Sequence, residues 1–233
     1  MILETEHITA SYGASQILFG ISLQVDKGET VCILGRNGVG KTTTLKTING
    51  MLKPRSGSIK FSDQEIGALP PYKISRSGIA YVPQGRHIFP NLTTRENLLI
   101  AARKGESPST QWTIPRIYQL FPVLKNRESS KGKSLSGGEQ QMLTIARGLM
   151  QNPKLLLMDE ICEGLAPIIV KELEEIVREL KKSGVSILLA EQNIKFAMAI
   201  SSRCYILEKG QVVYSGKTAE TPEETLRKYL ATQ

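Results

Sequence analysis

The chain has 233 residues, 40% hydrophobic and 22% charged, an ordinary globular usage that excludes collagen-like, disordered and disulfide-scaffold classes. Its longest apolar stretches, such as Leu155-Leu156-Leu157-Met158, fall far short of the ~18–20 residues that cross a bilayer. The formal charge of +8 comes without a run of five like charges, so nucleic acid, an anionic membrane surface and anionic ligands such as nucleotides all stay open as partners.

The N-terminus, Met1-Ile2-Leu3-Glu4-Thr5-Glu6, has no basic start and no apolar signal core, so a chain neither secreted nor membrane-spanning on its own account is expected. Residues 2–9 and 21–25 alternate like strands, with a turn at Asp26-Lys27-Gly28-Glu29. Thr30-Val31-Cys32-Ile33-Leu34 reads as a buried central strand, and after a glycine-rich stretch a helix is predicted over 41–52. Residues 58–61 and 79–82 are predicted strands. From 93 to about 133 the pattern is helical, within an insert read as 85–151, with Thr94 capping a helix whose first turn carries Glu96; residues 104–111 are polar and turn-rich. Strands follow at 155–158, 185–190, 204–207 and 212–214, with helices at 167–182, 193–200 and 222–230. Strands alternating with helices predict an α/β fold around a mostly parallel sheet, here with an antiparallel N-terminal portion and a helical insert. Three cysteines, Cys32, Cys162 and Cys204, form no CxxC pair and read as reduced thiols. Two histidines, His7 and His87, give a metal site or a Ser-His-Asp triad little material.

Gly35-Arg36-Asn37-Gly38-Val39-Gly40-Lys41-Thr42 fits GxxxxGK[ST] between a predicted strand and a predicted helix, the context that motif demands. The glycines let successive N–H groups face a phosphate chain, and the helix start adds positive partial charge. Lys41 supplies a point charge to the β/γ-phosphates and the Thr42 hydroxyl a ligand for Mg²⁺, with Thr43 beside it. Asp159-Glu160 ends an apolar strand at the crevice end of a parallel sheet. Asp159 is the candidate Mg²⁺ carboxylate and Glu160 the candidate general base for an attacking water. Ser136-Gly137-Gly138, opening another helix, reads as a second phosphate-binding start. One nucleotide does not need two such sites from one chain, so a dimer with shared sites is expected.

Leu135-Ser136-Gly137-Gly138-Glu139-Gln140-Gln141, with the phosphate loop and the Asp159-Glu160 pair, resembles the ATP-binding-cassette ATPases over essentially the whole chain. That resemblance implies a P-loop NTPase core (1–84 and 152–233) with a helical subdomain (85–151) in one domain, ATP and Mg²⁺ as ligands, and ATP hydrolysis. It implies that Tyr12 stacks on adenine and that Gln84 joins Mg²⁺ and the water to the helical subdomain. Glu163-Gly164-Leu165-Ala166-Pro167 matches the loop that crosses the dimer interface. The position after the last core strand, where most of the family has a γ-phosphate-sensing histidine, carries Gln192. A second departure is Ile161-Cys162 after Glu160, where Pro-Ser or Pro-Thr is usual.

Gly85-Arg86-His87-Ile88-Phe89-Pro90-Asn91-Leu92-Thr93, Gly164-Leu165-Ala166-Pro167 and Glu191-Gln192-Asn193 are similar to the ATPase subunit of branched-chain amino acid importers; urea and amide importer ATPases are close alternatives. This implies membrane permease partners docked through the helical subdomain, a second ATPase chain (a heterodimer favoured, a homodimer possible) and, indirectly, an extracytoplasmic substrate-binding protein. It also implies no nucleic acid and a place on the cytoplasmic face of the membrane. Phe89, Pro90 and Leu92 serve either as the docking surface or as the insert's own core. A soluble cassette protein acting on DNA or the ribosome, or an unrelated P-loop kinase or GTPase, are the competing readings.

Overall fold

The computed structural model describes residues 1–105 and 111–230; the polar stretch expected at 104–111 lies largely outside them. The chain opens with β1 (Leu3–Tyr12), β2 (Ser15–Val25), β3 (Thr30–Leu34), α1 (Lys41–Ile48), β4 (Ser56–Phe61), β5 (Gln64–Glu65), α2 (Pro71–Ser77) and β6 (Ile79–Val82). Four helices come next: α3 (Thr94–Ala101), α4 (Ile114–Leu120), α5 (Pro122–Asn126) and α6 (Gly137–Leu149). Alternation then returns with β7 (Leu155–Asp159), α7 (Pro167–Lys182), β8 (Ser186–Glu191), α8 (Ile194–Ile200), β9 (Arg203–Glu208), β10 (Gln211–Lys217) and α9 (Glu223–Leu230).

Two sheets result. β2-β1-β4-β5 is antiparallel. In β10-β9-β3-β8-β7-β6 every pairing is parallel except that of β10 with β9. Every residue of β3, β7 and β8 is buried, as continuous apolar strands covered on both faces must be. Their side chains alternate between two cores. Val31, Ile33, Leu155, Leu157 and Leu188 pack with Leu3, Ile8 and Leu23 of the antiparallel sheet and Leu45 of α1. Cys32, Leu34, Leu156, Met158 and Leu189 pack with Leu98, Phe121, Leu143, Ile145, Leu173 and Phe196 from the helices. Truncating such a leucine to alanine costs about 2–5 kcal/mol, so the sheet fixes the loops at its strand ends firmly.

Several boundaries differ from the sequence expectation, and three have a clear local reason. α1 stops at Ile48, not 52, because Gly50 turns left-handed (φ 74) and the Met51 N–H closes back on the Lys46 carbonyl at 2.9 Å, a glycine helix stop. α3 is capped by Thr93, not Thr94: Thr93 and Glu96 form a reciprocal capping box, while Thr94 is buried and its N–H donates to the Ser130 carbonyl at 2.9 Å. β2 begins at Ser15, well before 21, because it pairs with β1 across the turn at Gly13, through register shifts that blur the alternation. α7 follows its pattern: Leu173, Ile176, Val177 and Leu180 are buried on one stripe, and Glu175 and Glu179 pair with Arg178 and Lys182 on the other.

Candidate functional site

The loop after β3 folds around its own lysine. Gly40 holds the turn into α1 with φ 109, a region open to glycine and costly for other residues. The Lys41 side chain is 3% exposed. Its Nζ donates to the carbonyl oxygens of Gly35 (2.8 Å) and Arg36 (3.1 Å) and pairs with Glu160 Oε1 at 3.0 Å. An ammonium has three hydrogens, and here three acceptors meet it, which offsets the several kcal/mol lost on taking a charge out of water. Gly38, Arg36 and Asn37 line the exposed rim, Val39 is half-buried and Thr43 is buried.

At the end of β7 the two carboxylates take different environments. Asp159 is fully buried; Oδ1 accepts from the Thr42 hydroxyl at 3.0 Å and Oδ2 from the Tyr81 hydroxyl at 2.8 Å. Burial pushes its carboxyl above the usual range, against the pull of those two hydroxyls. Tyr81 is pushed strongly upward by its own burial and by Asp159, so it stays a donor. Glu160 turns the chain left-handed (φ 45), and its N–H donates to the Ala190 carbonyl at 2.8 Å. That aims its carboxylate at Lys41 on one oxygen and at Gln84 Nε2 on the other, 3.0 Å away. The Gln84 amide also reaches Glu163 Oε2 at 2.8 Å. Thr42, Asp159 and Gln84 thus form a set of hard oxygen donors of the kind Mg²⁺ takes, with few protein ligands and the rest from phosphate and water. Among the described residues no cluster of three or more His, Cys, Asp or Glu could hold a metal by itself.

Beyond β8 the chain turns over a buried carboxylate. Glu191 accepts from three backbone N–H groups, those of Cys162 (3.0 Å), Gln192 (3.1 Å) and Asn193 (3.1 Å). Burial raises its carboxyl even so. Asn193 caps α8 through the Phe196 N–H. Glu191 and Asn193 are thereby committed to the backbone, while the Gln192 side chain is exposed and makes no hydrogen bond among the described residues. The Ile161-Cys162 departure has a packing role: both side chains are buried in the helix-side core, and burial beside Glu191 pushes the Cys162 thiol far up, so it is an inert core side chain.

The second phosphate-type turn is well formed. Ser136 caps α6 with Glu139 in a reciprocal box, Ser136 N to Glu139 Oε2 at 2.7 Å and Glu139 N to Ser136 Oγ at 3.3 Å. Ser136 is exposed and Gly137 and Gly138 half-buried; no hydrogen bond joins them to Lys41, Thr42, Asp159 or Glu160 among the described residues. Tyr12 stands 48% exposed at the end of β1. The structure therefore brings Lys41, Gln84 and Glu160 into one bonded group and Thr42, Tyr81 and Asp159 into a second beside it, and leaves Tyr12, Gln192 and the Ser136 turn outside both. The motif reading did not single out Tyr81 or Glu163 as members, nor Glu191 as the support of the loop; the Tyr81-Val82-Pro83-Gln84 string was the one available signal for Tyr81.

A family model described as ABC transporter matches residues 18–163. The chain is 42% identical over 212 residues to the high-affinity branched-chain amino acid transport ATP-binding protein BraG of Pseudomonas aeruginosa, covering 91% of each. It is 34% identical to the lipopolysaccharide export system ATP-binding protein LptB of Escherichia coli, covering 97% of this chain and 92% of that one. A solved nucleotide-free ATP-binding cassette from an ABC transporter superposes with a TM-score of 0.83 at 30% identity, covering 98% of this chain and 94% of that one.

Proposed function

The chain belongs to the ABC transporter family, whose ATP-binding cassettes are ATPases, and from that premise we propose that it energises an importer of branched-chain amino acids. The observation that carries the ATPase reading is the meeting of two bonded groups, Lys41–Glu160–Gln84 and Thr42–Asp159, at adjacent positions of the same two loops. In this reading Lys41 and the N–H groups of 35–43 hold the phosphates, Tyr12 offers its open ring to the base, and Thr42, Asp159 and Gln84 hold Mg²⁺. Bound there, Mg²⁺ neutralises charge on the transferring phosphoryl oxygens. Glu160 accepts a proton from the attacking water, and Gln192 donates one amide hydrogen bond toward the γ-phosphate position.

Ser136, Gly137 and Gly138 serve the nucleotide of a second ATPase chain, and a heterodimer is favoured. Residues 85–151 act as the helical subdomain between the two parts of the core (1–84 and 152–233). Among the described residues no helix is long and apolar enough to cross a membrane, which agrees with permeases as separate chains on whose cytoplasmic side this subunit rests. Phe89, Leu99, Ile100, Met51 and Tyr72 are exposed apolar side chains, and a cavity of about 550 Å³ lies between α1, α2 and the Gln84 loop. Met51 and Tyr72 line that cavity, while Phe89, Leu99 and Ile100 belong to the 85–151 segment and support it as the permease seat. An extracytoplasmic binding protein then selects the substrate.

The likeness to BraG favours branched-chain amino acids, while that to LptB keeps lipopolysaccharide export as the second reading. The test has two arms. Ser136→Arg should leave ATP binding to the dilute chain unchanged and block hydrolysis, because a bulky side chain would collide with the partner's nucleotide; equal loss of both refutes the shared site. The chain copurified with its permeases should hydrolyse ATP faster with a leucine-, isoleucine- or valine-loaded binding protein. Stimulation by lipopolysaccharide alone refutes the import reading.

A further inference from the structure

Arg86 follows Gln84 by two residues, and its guanidinium leaves its own loop. Nη2 donates to the carbonyl oxygens of Gly164 (3.0 Å) and Glu163 (3.3 Å), in the loop between β7 and α7. Nη1 lies against the first residue of α6: a Cβ built on Gly137 would stand 2.3 Å from it, and one built on Gly164 would stand 3.2 Å from Nη2. The guanidinium thus occupies room that two glycines leave, one in each neighbouring loop. Its acceptors are neutral carbonyls, and no carboxylate pairs with it among the described residues. The backbone at Arg86 is left-handed, with φ 56, which an arginine adopts only where its surroundings hold it. From the same loop, Gln84 gives a second tie to Glu163 and a bond to the candidate base Glu160.

We propose that Arg86 is a positioning residue: it clamps the start of α6 and the 160–166 loop to the Gln84 loop, so that the face offered to a second chain follows the nucleotide state of this chain's own phosphate loop. The proposal rests on the reading of Ser136, Gly137 and Gly138 as serving the partner's nucleotide. It follows from connectivity. Gln84 reports on the cluster around Lys41 and Glu160, and Arg86, two residues on, is the side chain that touches both partner-facing loops. A planar, five-donor group suits this role because it bonds two carbonyls while its flat face fits over glycine.

The test reads binding of a fluorescent ATP analogue to the dilute purified chain, and steady-state Mg-ATP hydrolysis by the chain copurified with its second ATPase chain and permeases. Arg86→Ala should bind the analogue within about twofold of wild type and keep KM, while kcat falls about tenfold, the worth of lost charge-assisted hydrogen bonds. Arg86→Lys should recover part of kcat, since an ammonium still donates to the Gly164 carbonyl. A kcat for Arg86→Ala within twofold of wild type overturns the proposal. So does a parallel loss of binding and turnover, which would mark a structural prop. Failure of the shared-site reading itself would be seen separately, as wild-type turnover by Ser136→Arg.

Discussion

Replacing Glu160 by glutamine perturbs two contacts at once. Glu160 Oε1 lies 3.0 Å from Lys41 Nζ, with side chains 11% and 3% exposed. Two unit charges at that distance attract by about 5–6 kcal/mol at an effective dielectric near 20. Desolvation takes back most of it, leaving about 1–2 kcal/mol that ATP must displace before its phosphates take over the ammonium. Glutamine keeps the shape and a neutral acceptor but loses that attraction. ATP should therefore bind roughly 5- to 30-fold more tightly to Glu160→Gln, while turnover drops by roughly 10²–10⁴, the usual worth of a general base. The measurements are a fluorescent-ATP titration at low protein concentration and single-turnover hydrolysis. Unchanged or weaker binding would show that the Lys41–Glu160 pair does not oppose the nucleotide. Turnover within threefold of wild type would remove Glu160 from the base role.

Gln192→Ala should lose one hydrogen bond to a charged oxygen, about 1.5–3 kcal/mol, hence roughly ten- to a hundredfold in turnover; Gln192→His should add an acid-side inflection between pH 6 and 8 that wild type lacks, read by steady-state assays across that range. Glu191→Ala leaves three backbone N–H groups without their acceptor and should cost about 2–3 kcal/mol, a fall in Tm of roughly 4–12 °C by calorimetry; an unchanged Tm would refute the supporting role. Burial would raise the Glu29 carboxyl, but Arg203, the Asp26 N–H and the Ser202 hydroxyl outweigh it and hold it below the usual range. A depressed carboxylate stabilises the fold fully above its unfolded value, near ~4.3, and that contribution is lost as pH falls through the lower folded value. Thermal melts between pH 6 and 3 should therefore fall more steeply for wild type than for Glu29→Gln.

Continuous apolar runs such as Leu155-Leu156-Leu157-Met158 announced the central strands, because a sheet covered on both faces leaves no polar alternation to misread. The 35–42 loop and the Asp159-Glu160 pair were legible as neighbours, since each follows an apolar strand of the parallel sheet, and Lys41 and Thr42 do meet the two carboxylates. Less visible were features made by partners distant in sequence. Tyr81 reads as one more strand residue until its hydroxyl is seen on Asp159. Glu191 reads as part of a loop motif, yet its carboxylate folds back on the amide of Cys162, twenty-nine positions away. The Thr93 cap was missed by one residue because Thr-Thr offers two hydroxyls and only tertiary burial decides between them. β2 was read short because register shifts against β1 break its period.

The helices between β6 and β7 do not own a separate interior: Leu98, Ile117, Phe121 and Leu124 belong to the same apolar cluster as Leu156, Leu189 and Cys32 of the sheet. A shared interior couples the melting of the two regions, so heating should give one calorimetric transition whose van't Hoff and measured enthalpies agree. It also limits the way this region can respond to the nucleotide. A rotation that opened the cluster would expose several large side chains to water at about 1.5–3 kcal/mol each, whereas a slide along it, leucine past leucine, keeps them covered. For the helical segment a slide along that shared interior therefore costs less than a rotation that opens it.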